Sequence, residues 1–174
     1  ALCQQHGIVP IVEPELLMSG DHDIERGREV TERILSHVFT ALRRHHVSLE
    51  HMVLKPNMAI SGENHAKDDA ETVGHATALA LSRTVPAAVP TINFLSGGQT
   101  PEQATANLHA VNTVDVARPW QVSFSYGRAL QEPCLKAWAG NAENINAAQT
   151  ALYKRVKLNS LATLGKYSAN AENQ

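Results

Sequence analysis

The sequence predicts an α/β fold assembled from parallel βα units. Three observations carry that expectation. Four short apolar runs alternate with longer stretches of helical periodicity, in the order βαβαβαβα. The runs recur at intervals long enough for a crossover helix, as parallel pairing requires. Each run also ends in polar or glycine residues, at the strand end where parallel α/β folds gather their chemistry. Two architectures use such units, the open doubly wound sheet and the (β/α)8 barrel. No Gly-x-Gly-x-x-Gly follows the first run, so a dinucleotide fold lacks its usual fingerprint. A barrel needs eight strands, and only four are visible.

The elements follow in order. Ile8 to Leu16 is β-branched and nearly continuous, the pattern of a strand buried on both faces. Ser19-Gly20-Asp21 makes a loop. From His22 to His46, Val30, Ile34, Val38 and Leu42 recur every four residues, which predicts a helix capped by Asp21 or Asp23. Val53 and Leu54 form a short strand that Pro56 must end, because proline lacks a backbone donor. Ala59 to Lys67 reads as a polar loop, and Asp68 to Arg83 as an alanine-rich helix closed off by Pro86 and Pro90. Thr91 to Leu95 is a third strand. Thr100-Pro101-Glu102 then offers a helix start, with an N-cap threonine and proline at the first helical position. That helix extends to about Val111. Trp120 to Tyr126 is a fourth strand. Ala129 to Trp138 is helical with a kink expected at Pro133, and Glu143 to Leu164 is a long helix. The tail from Gly165 to Gln174 is polar and expected to fray.

Composition narrows the function classes. The 174 residues suit one domain, with 43% hydrophobic and 18% charged residues. A net charge of -2 argues against a nucleic-acid or anionic-membrane surface. No apolar run approaches the roughly 20 residues a membrane helix needs. Ala1 to Gly7 shows no basic segment followed by an apolar core, so no signal peptide is expected. The absence of an initiator methionine fits processing, and equally a chain that begins mid-protein. Cys3 and Cys134 are too few for a disulfide framework, and a reducing cytoplasm is the expected compartment. Nine histidines are present, but without His-x-x-x-His or Cys/His ligand spacing, so no metal site is expected. Met18, Met52 and Met58 read as packing residues.

The four strand ends are Glu13-Pro14-Glu15, Lys55-Pro56-Asn57, Ser96-Gly97-Gly98 and Ser125-Tyr126-Gly127-Arg128. Lys55 closes an apolar run. Burial lowers a lysine's pKa and makes the amine nucleophilic, the condition for Schiff-base chemistry with carbonyl substrates. A surface lysine just past a strand end is the plainer alternative. Glu13 and Glu15 share a strand face, where one carboxylate can orient an amine and another can shuttle protons. A solvated strand end is the alternative for both. Ser96-Gly97-Gly98 exposes consecutive N–H groups ahead of a helix N-terminus, an arrangement suited to phosphate. Arg128 adds a guanidinium fork at the next strand end.

Taken together, these residues resemble the class I fructose-1,6-bisphosphate aldolase family. The matching stretches are Val12 to Glu15, Leu54 to Met58, Phe94 to Gln99 and Phe124 to Leu130, joined by Gly20 to Asp23, Arg83 to Pro86 and Leu135 to Trp138. The resemblance implies a (β/α)8 TIM barrel, of which residues 1–164 supply strands five to eight with a C-terminal helix, and 165–174 a polar tail. It implies a cytoplasmic, homotetrameric lyase of glycolysis and gluconeogenesis that works without metal or other cofactor. Its substrates are sugar phosphates: fructose 1,6-bisphosphate is cleaved reversibly to dihydroxyacetone phosphate and glyceraldehyde 3-phosphate. By motif, Lys55 is the Schiff-base lysine, Glu13 the proton shuttle and Glu15 the supporting carboxylate. Leu95, Ser96, Gly97, Ser125, Gly127 and Arg128 fall where the family holds the ketose C1 phosphate. No nucleic-acid or membrane partner is implied.

The resemblance covers the family's C-terminal half, so the glyceraldehyde phosphate side of the pocket is largely missing from these residues. Four strands leave two open edges. A partial sequence of a full-length enzyme is the first expectation and a self-pairing half-barrel the second. The 174-residue chain alone is expected to be inactive or nearly so. Another Schiff-base lyase, a transaldolase-like barrel or a non-catalytic scaffold fragment are the competing readings.

Overall fold

The computed structural model describes residues 1–173. A short helix α1 (Leu2–Gln5) precedes strand β1 (Ile11–Val12) and helix α2 (Ile24–Arg44). Then follow β2 (Val53–Leu54), α3 (Ala70–Thr84), β3 (Thr91–Phe94), α4 (Pro101–Thr113), β4 (Gln121–Phe124), α5 (Arg128–Trp138) and α6 (Ile145–Thr163). The strands pair in sequence order, β1-β2-β3-β4, all parallel. This is the βα alternation that the sequence predicts, with α2, α3 and α4 each crossing over to the next strand.

Register decides which residues share a face. Ile11 pairs with Val53, Val53 with Thr91, and Thr91 with Gln121. The alternate set is Val12, Leu54, Ile92 and Val122. Leu54 and Ile92 are completely buried, as is Phe94 two residues on. They pack beneath Leu35 and Phe39 of α2, Val73 and Leu81 of α3, Leu108 and Val111 of α4, and Leu158 of α6. Side chains alternate along a strand, so the other face carries Ile11, Val53, Thr91, Asn93 and Ser123. That face points away from the helices and leads on to Lys55.

Local chemistry sets the helix starts. Asp23 caps α2, its Oδ1 accepting the Arg26 N–H at 2.9 Å. Thr100 and Gln103 form a reciprocal capping box at α4, with Pro101 in the first helical position. Pro133 lies inside α5, which runs on to Trp138.

Three sequence expectations need correction. The first run was expected to be a long strand buried on both faces. Only Ile11 and Val12 are in the sheet, and Ile8, Val9 and Ile11 are each more than half exposed. Pro10 and Pro14 bracket the strand and cut its ladder, and β1 has a neighbour on one side only. Second, the polar loop after β2 opens with a buried stretch: residues 57–62 are all buried. This segment passes so close to α2 that a Cβ on Gly27 would lie 2.5 Å from the Ile60 carbonyl oxygen. Third, the tail is docked through Asn173. Tyr167 is buried, Ala169–Asn173 forms a 3-10 turn, and Glu172 accepts from Arg155 of α6 at 2.6 Å.

Candidate active site

The backbone ladder runs one residue beyond each strand and fixes the residues that matter. Lys55 N–H donates to Val12 O at 2.8 Å, Leu95 N–H to Pro56 O at 3.1 Å, and Ser125 N–H to Phe94 O at 2.9 Å. Three sequence-predicted site residues are therefore held by main-chain bonds to the neighbouring strand. Their placement depends on sheet register rather than on loop packing.

Lys55 follows Leu54, so it projects to the face opposite the helix-packed core. Glu13 occupies the equivalent place beyond β1, since Val12 pairs with Leu54. The two meet: Lys55 Nζ lies 3.0 Å from Glu13 Oε2. The lysine side chain is 21% exposed and the glutamate 50%. Lys55 is thus neither stranded in an apolar core nor a free surface lysine. It is a half-buried amine with one carboxylate partner and an open approach.

Glu15 does not join that pair. It lines a separate hollow of about 390 Å³ with Leu16, His22 and Arg26 on the α2 side. Its Oε1 nevertheless approaches the β3 loop: a methyl group on Gly97 would come within 3.4 Å of Glu15 Oε1 and 3.2 Å of Leu95 Cδ1. Glycine at 97 leaves room between the first and third strand ends. Gly98 has φ +77°, and a Cβ there would meet Met18 Cγ at 2.9 Å, so both the turn and the packing call for glycine.

Ser96 and Arg128 come together. With Lys67, Gln99, Thr100 and Lys136 they line a cleft of about 660 Å³ at the N-termini of α4 and α5. Arg128 is the first residue of α5 rather than the last of a strand end, and Gly127 is its N-cap. The capped start of α4 directs its first N–H groups and its dipole into the same region. Gly127 and Arg128 are exposed, Ser96 is buried, and Ser125 lies between them in exposure. Glu102 and Glu132 line the cleft too, and Glu132 pairs with Lys136 at 2.7 Å, so Lys67 and Arg128 are its cations without a carboxylate partner among the described residues. Those two cations at two helix starts suit an anion with several acceptor oxygens. A cavity of about 690 Å³ lies in the outer helical layer beside His75, His109 and Tyr167, and contains no strand-end residue.

A protein-family model described as class I fructose-bisphosphate aldolase matches residues 1–174. The chain belongs to that family. Aldolase 1 of Caenorhabditis elegans is 53% identical over 173 residues, and the aldolase of Drosophila melanogaster 54% over 171. Each alignment covers 98% of this chain and 47% of the relative. The cytosolic aldolase 6 of Arabidopsis thaliana is 53% identical over 171 residues. The chain therefore spans about half the length of the curated aldolases it matches. The ternary co-crystal structure of Plasmodium falciparum aldolase, in complex with TRAP and a small-molecule inhibitor, superposes with a TM-score of 0.93 at 48% identity. That match covers 97% of this chain and 48% of the other. The four parallel βα units thus correspond to part of the aldolase TIM barrel.

Within the aldolase frame, sequence reasoning passed over Asn57, two residues after Lys55. It is 3% exposed, and its Oδ1 accepts the Leu16 N–H at 2.6 Å. It ties the β1 exit to the β2 exit. The available signal was an asparagine directly after the proline that ends a buried strand. Lys67, Gln99 and Lys136 of the anion cleft were passed over too, because they come from loops and from the last turn of α5. Among the described residues, no helix is long and apolar enough to cross a membrane.

Proposed function

We propose that these residues form the Schiff-base and phosphate-binding half of a class I fructose-bisphosphate aldolase barrel, acting in the cytosol as a homotetramer. The observation that carries this is the 3.0 Å pairing of Lys55 Nζ with Glu13 Oε2 at adjacent parallel strand ends. Family membership supplies the substrate class, and the cleft at Ser96 and Arg128 supplies a place for its phosphate.

The reaction follows from those groups. Lys55, once neutral, attacks the C2 ketone of fructose 1,6-bisphosphate and gives a carbinolamine. Glu13 delivers a proton to the departing hydroxyl, which leaves as water, and the protonated imine remains. Loss of the C4 hydroxyl proton then breaks the C3–C4 bond. Its electron pair moves onto the imine nitrogen as an enamine, and glyceraldehyde 3-phosphate leaves. Protonation at C3 and hydrolysis release dihydroxyacetone phosphate and free Lys55. The charged imine is the electron sink, so the cycle uses no metal. Glu15 supports the charge balance beside Gly97. Ser96, Gly97, Leu95, Ser125, Gly127 and Arg128 hold the C1 phosphate and place C2 within reach of the amine.

Activity belongs to the closed barrel. Ile8, Val9 and Ile11 leave an apolar edge exposed beside Glu13, which is itself half exposed. A coupled assay tests both statements. The full-length polypeptide that carries these residues is expected to cleave fructose 1,6-bisphosphate in the presence of chelator. The purified 174-residue chain is expected to show no turnover or nearly none. A full-length protein without cleavage would overturn the functional reading, and turnover by the short chain would overturn the requirement for closure.

A further inference from the structure

Asn57 is the most deeply buried polar side chain at the strand ends, and the reaction as written gives it no part. Its environment is unusually determinate. Oδ1 accepts the Leu16 N–H at 2.6 Å. Turning the amide over would set Nδ2 against that N–H, donor on donor, so the orientation is fixed. Nδ2 is then buried and has no hydrogen-bond partner among the described residues. Native structures seldom leave a buried donor unmatched without a reason.

The direction in which Nδ2 points supplies the reason. A Cβ built on Gly97 would lie 3.9 Å from Asn57 Nδ2 and 3.4 Å from Glu15 Oε1. The free donor and the carboxylate oxygen therefore flank the same small space, kept open because residue 97 has no side chain. Three strand ends converge there: Glu15 and Leu16 from the first, Asn57 from the second, Gly97 from the third. Lys55 precedes Asn57 by two residues, with the rigid Pro56 between them. Any shift of the Asn57 amide is therefore transmitted to the lysine strand end and, through Leu16, to the segment that carries Glu13.

We infer that Asn57 is a positioning residue for the Schiff-base reaction: its Oδ1 fixes the Glu13–Leu16 segment against Lys55, and its buried, unpartnered Nδ2 is the donor that the Glu15 carboxylate takes up across the Gly97 gap during the reaction. A donor in this place restrains Glu15 without adding charge, and so keeps the second carboxylate from competing with Glu13 for the ammonium. The inference rests on the aldolase reading and deepens it.

Two substitutions separate the functions of the two amide atoms. Asn57→Asp keeps an acceptor for Leu16 N–H and removes the donor. Asn57→Ala removes both. Each is made in the full-length polypeptide and compared with wild type by melting temperature, by steady-state cleavage, and by the rate of borohydride trapping with dihydroxyacetone phosphate. Asn57→Asp also buries a carboxyl beside Glu15 and is expected to melt lower than wild type; well below that melt its trapping rate and kcat are expected to be lowered roughly 10- to 100-fold, the worth of one buried donor to a charged group. KM is expected to change by less than about two-fold, because the phosphate cleft is untouched. Asn57→Ala is expected to lose the same activity and to melt lower as well. Wild-type rates in Asn57→Asp, or a loss confined to KM, would overturn the inference. So would activity losses in both variants that merely follow melting temperature. Wild-type enzyme that cannot be trapped at all would overturn the aldolase reading instead, which keeps the two failures distinct.

Discussion

Lys55 Nζ and Glu13 Oε2 lie 3.0 Å apart, on strand ends whose register places both side chains on the face away from the helices. Because the pair is half-exposed, its two functions separate energetically. As a structural contact it is worth about 0–1 kcal/mol, the usual range for a solvent-accessible ion pair. In the proposed reaction, where Glu13 delivers a proton beside the Lys55 nitrogen, it would be worth far more. Glu13→Gln in the full-length enzyme is therefore expected to unfold within about 1 kcal/mol of wild type. Its kcat is expected to fall roughly 10²- to 10⁴-fold. Denaturant unfolding and steady-state kinetics on the same preparation check both.

Arg128 forms no ion pair among the described residues and stands at the start of α5, in the cleft with Ser96. Its guanidinium is available to a ligand. Arg128→Ala is expected to leave stability within about 0.5 kcal/mol, as for an exposed residue. It is expected to weaken a phosphorylated ketose by about 2–3 kcal/mol, a loss of roughly 30- to 150-fold. A ketose lacking the C1 phosphate should be insensitive to the change. Comparing the two substrates on wild type and variant checks this.

Arg155 holds the tail to the barrel. Its buried guanidinium pairs with Glu172 at 2.6 Å, donates to Pro101 O at 2.8 Å and also bonds Thr105. Removing one partner of a buried charge pair leaves the other uncompensated. Arg155→Met is expected to cost about 3–5 kcal/mol in denaturant unfolding. Adding Glu172→Gln is expected to restore part of that loss, since no carboxylate is then left unpaired.

Two tyrosines set the alkaline limit. Burial, and then the bond to Glu172 and its charge, push Tyr167 up to about 12, and burial drives Tyr126 upward as well. Both phenols keep their protons longer in the folded chain than in the unfolded one. Their stabilisation is complete below about pH 10, the ordinary tyrosine value. It is lost as the pH climbs, through about 12 for Tyr167, because the unfolded chain releases its protons first. Melting temperature should fall across that window, and Tyr167→Phe should flatten the fall. An identical slope in wild type and Tyr167→Phe would contradict the assignment.

How much of this was legible in the sequence varied with the physics of each element. The long helix α2 announced itself by periodicity, α6 by its alanine-rich composition after Gly140, and α4 by its threonine–proline start. The meeting of Lys55 with Glu13 was legible only through the family resemblance, because alternation along one strand relates Glu13 to Glu15 and the Val12–Leu54 register that brings Lys55 alongside is a cross-strand property. The edge position of β1 was not. An apolar β-branched run looks alike whether its partner surface is present or absent, and only the sheet order shows that Ile11 has a neighbour on one side. The buried stretch after β2 was masked by its serine and glycine, which are needed for close approach and not for solvation. Tail docking was hidden because Arg155 and Glu172 are seventeen residues apart and share no helical face. Asn57 was unreadable as a buried polar group, since asparagine after proline ordinarily signals a turn.

The central claim is that Lys55 is the residue that becomes covalently attached to the ketose. The full-length polypeptide is incubated with dihydroxyacetone phosphate, reduced with borohydride, digested and mapped by mass spectrometry. The account predicts a stable secondary amine on the peptide containing Lys55, at close to one per chain, and none in Lys55→Met. Modification of a different lysine, or equal trapping in Lys55→Met, would contradict it.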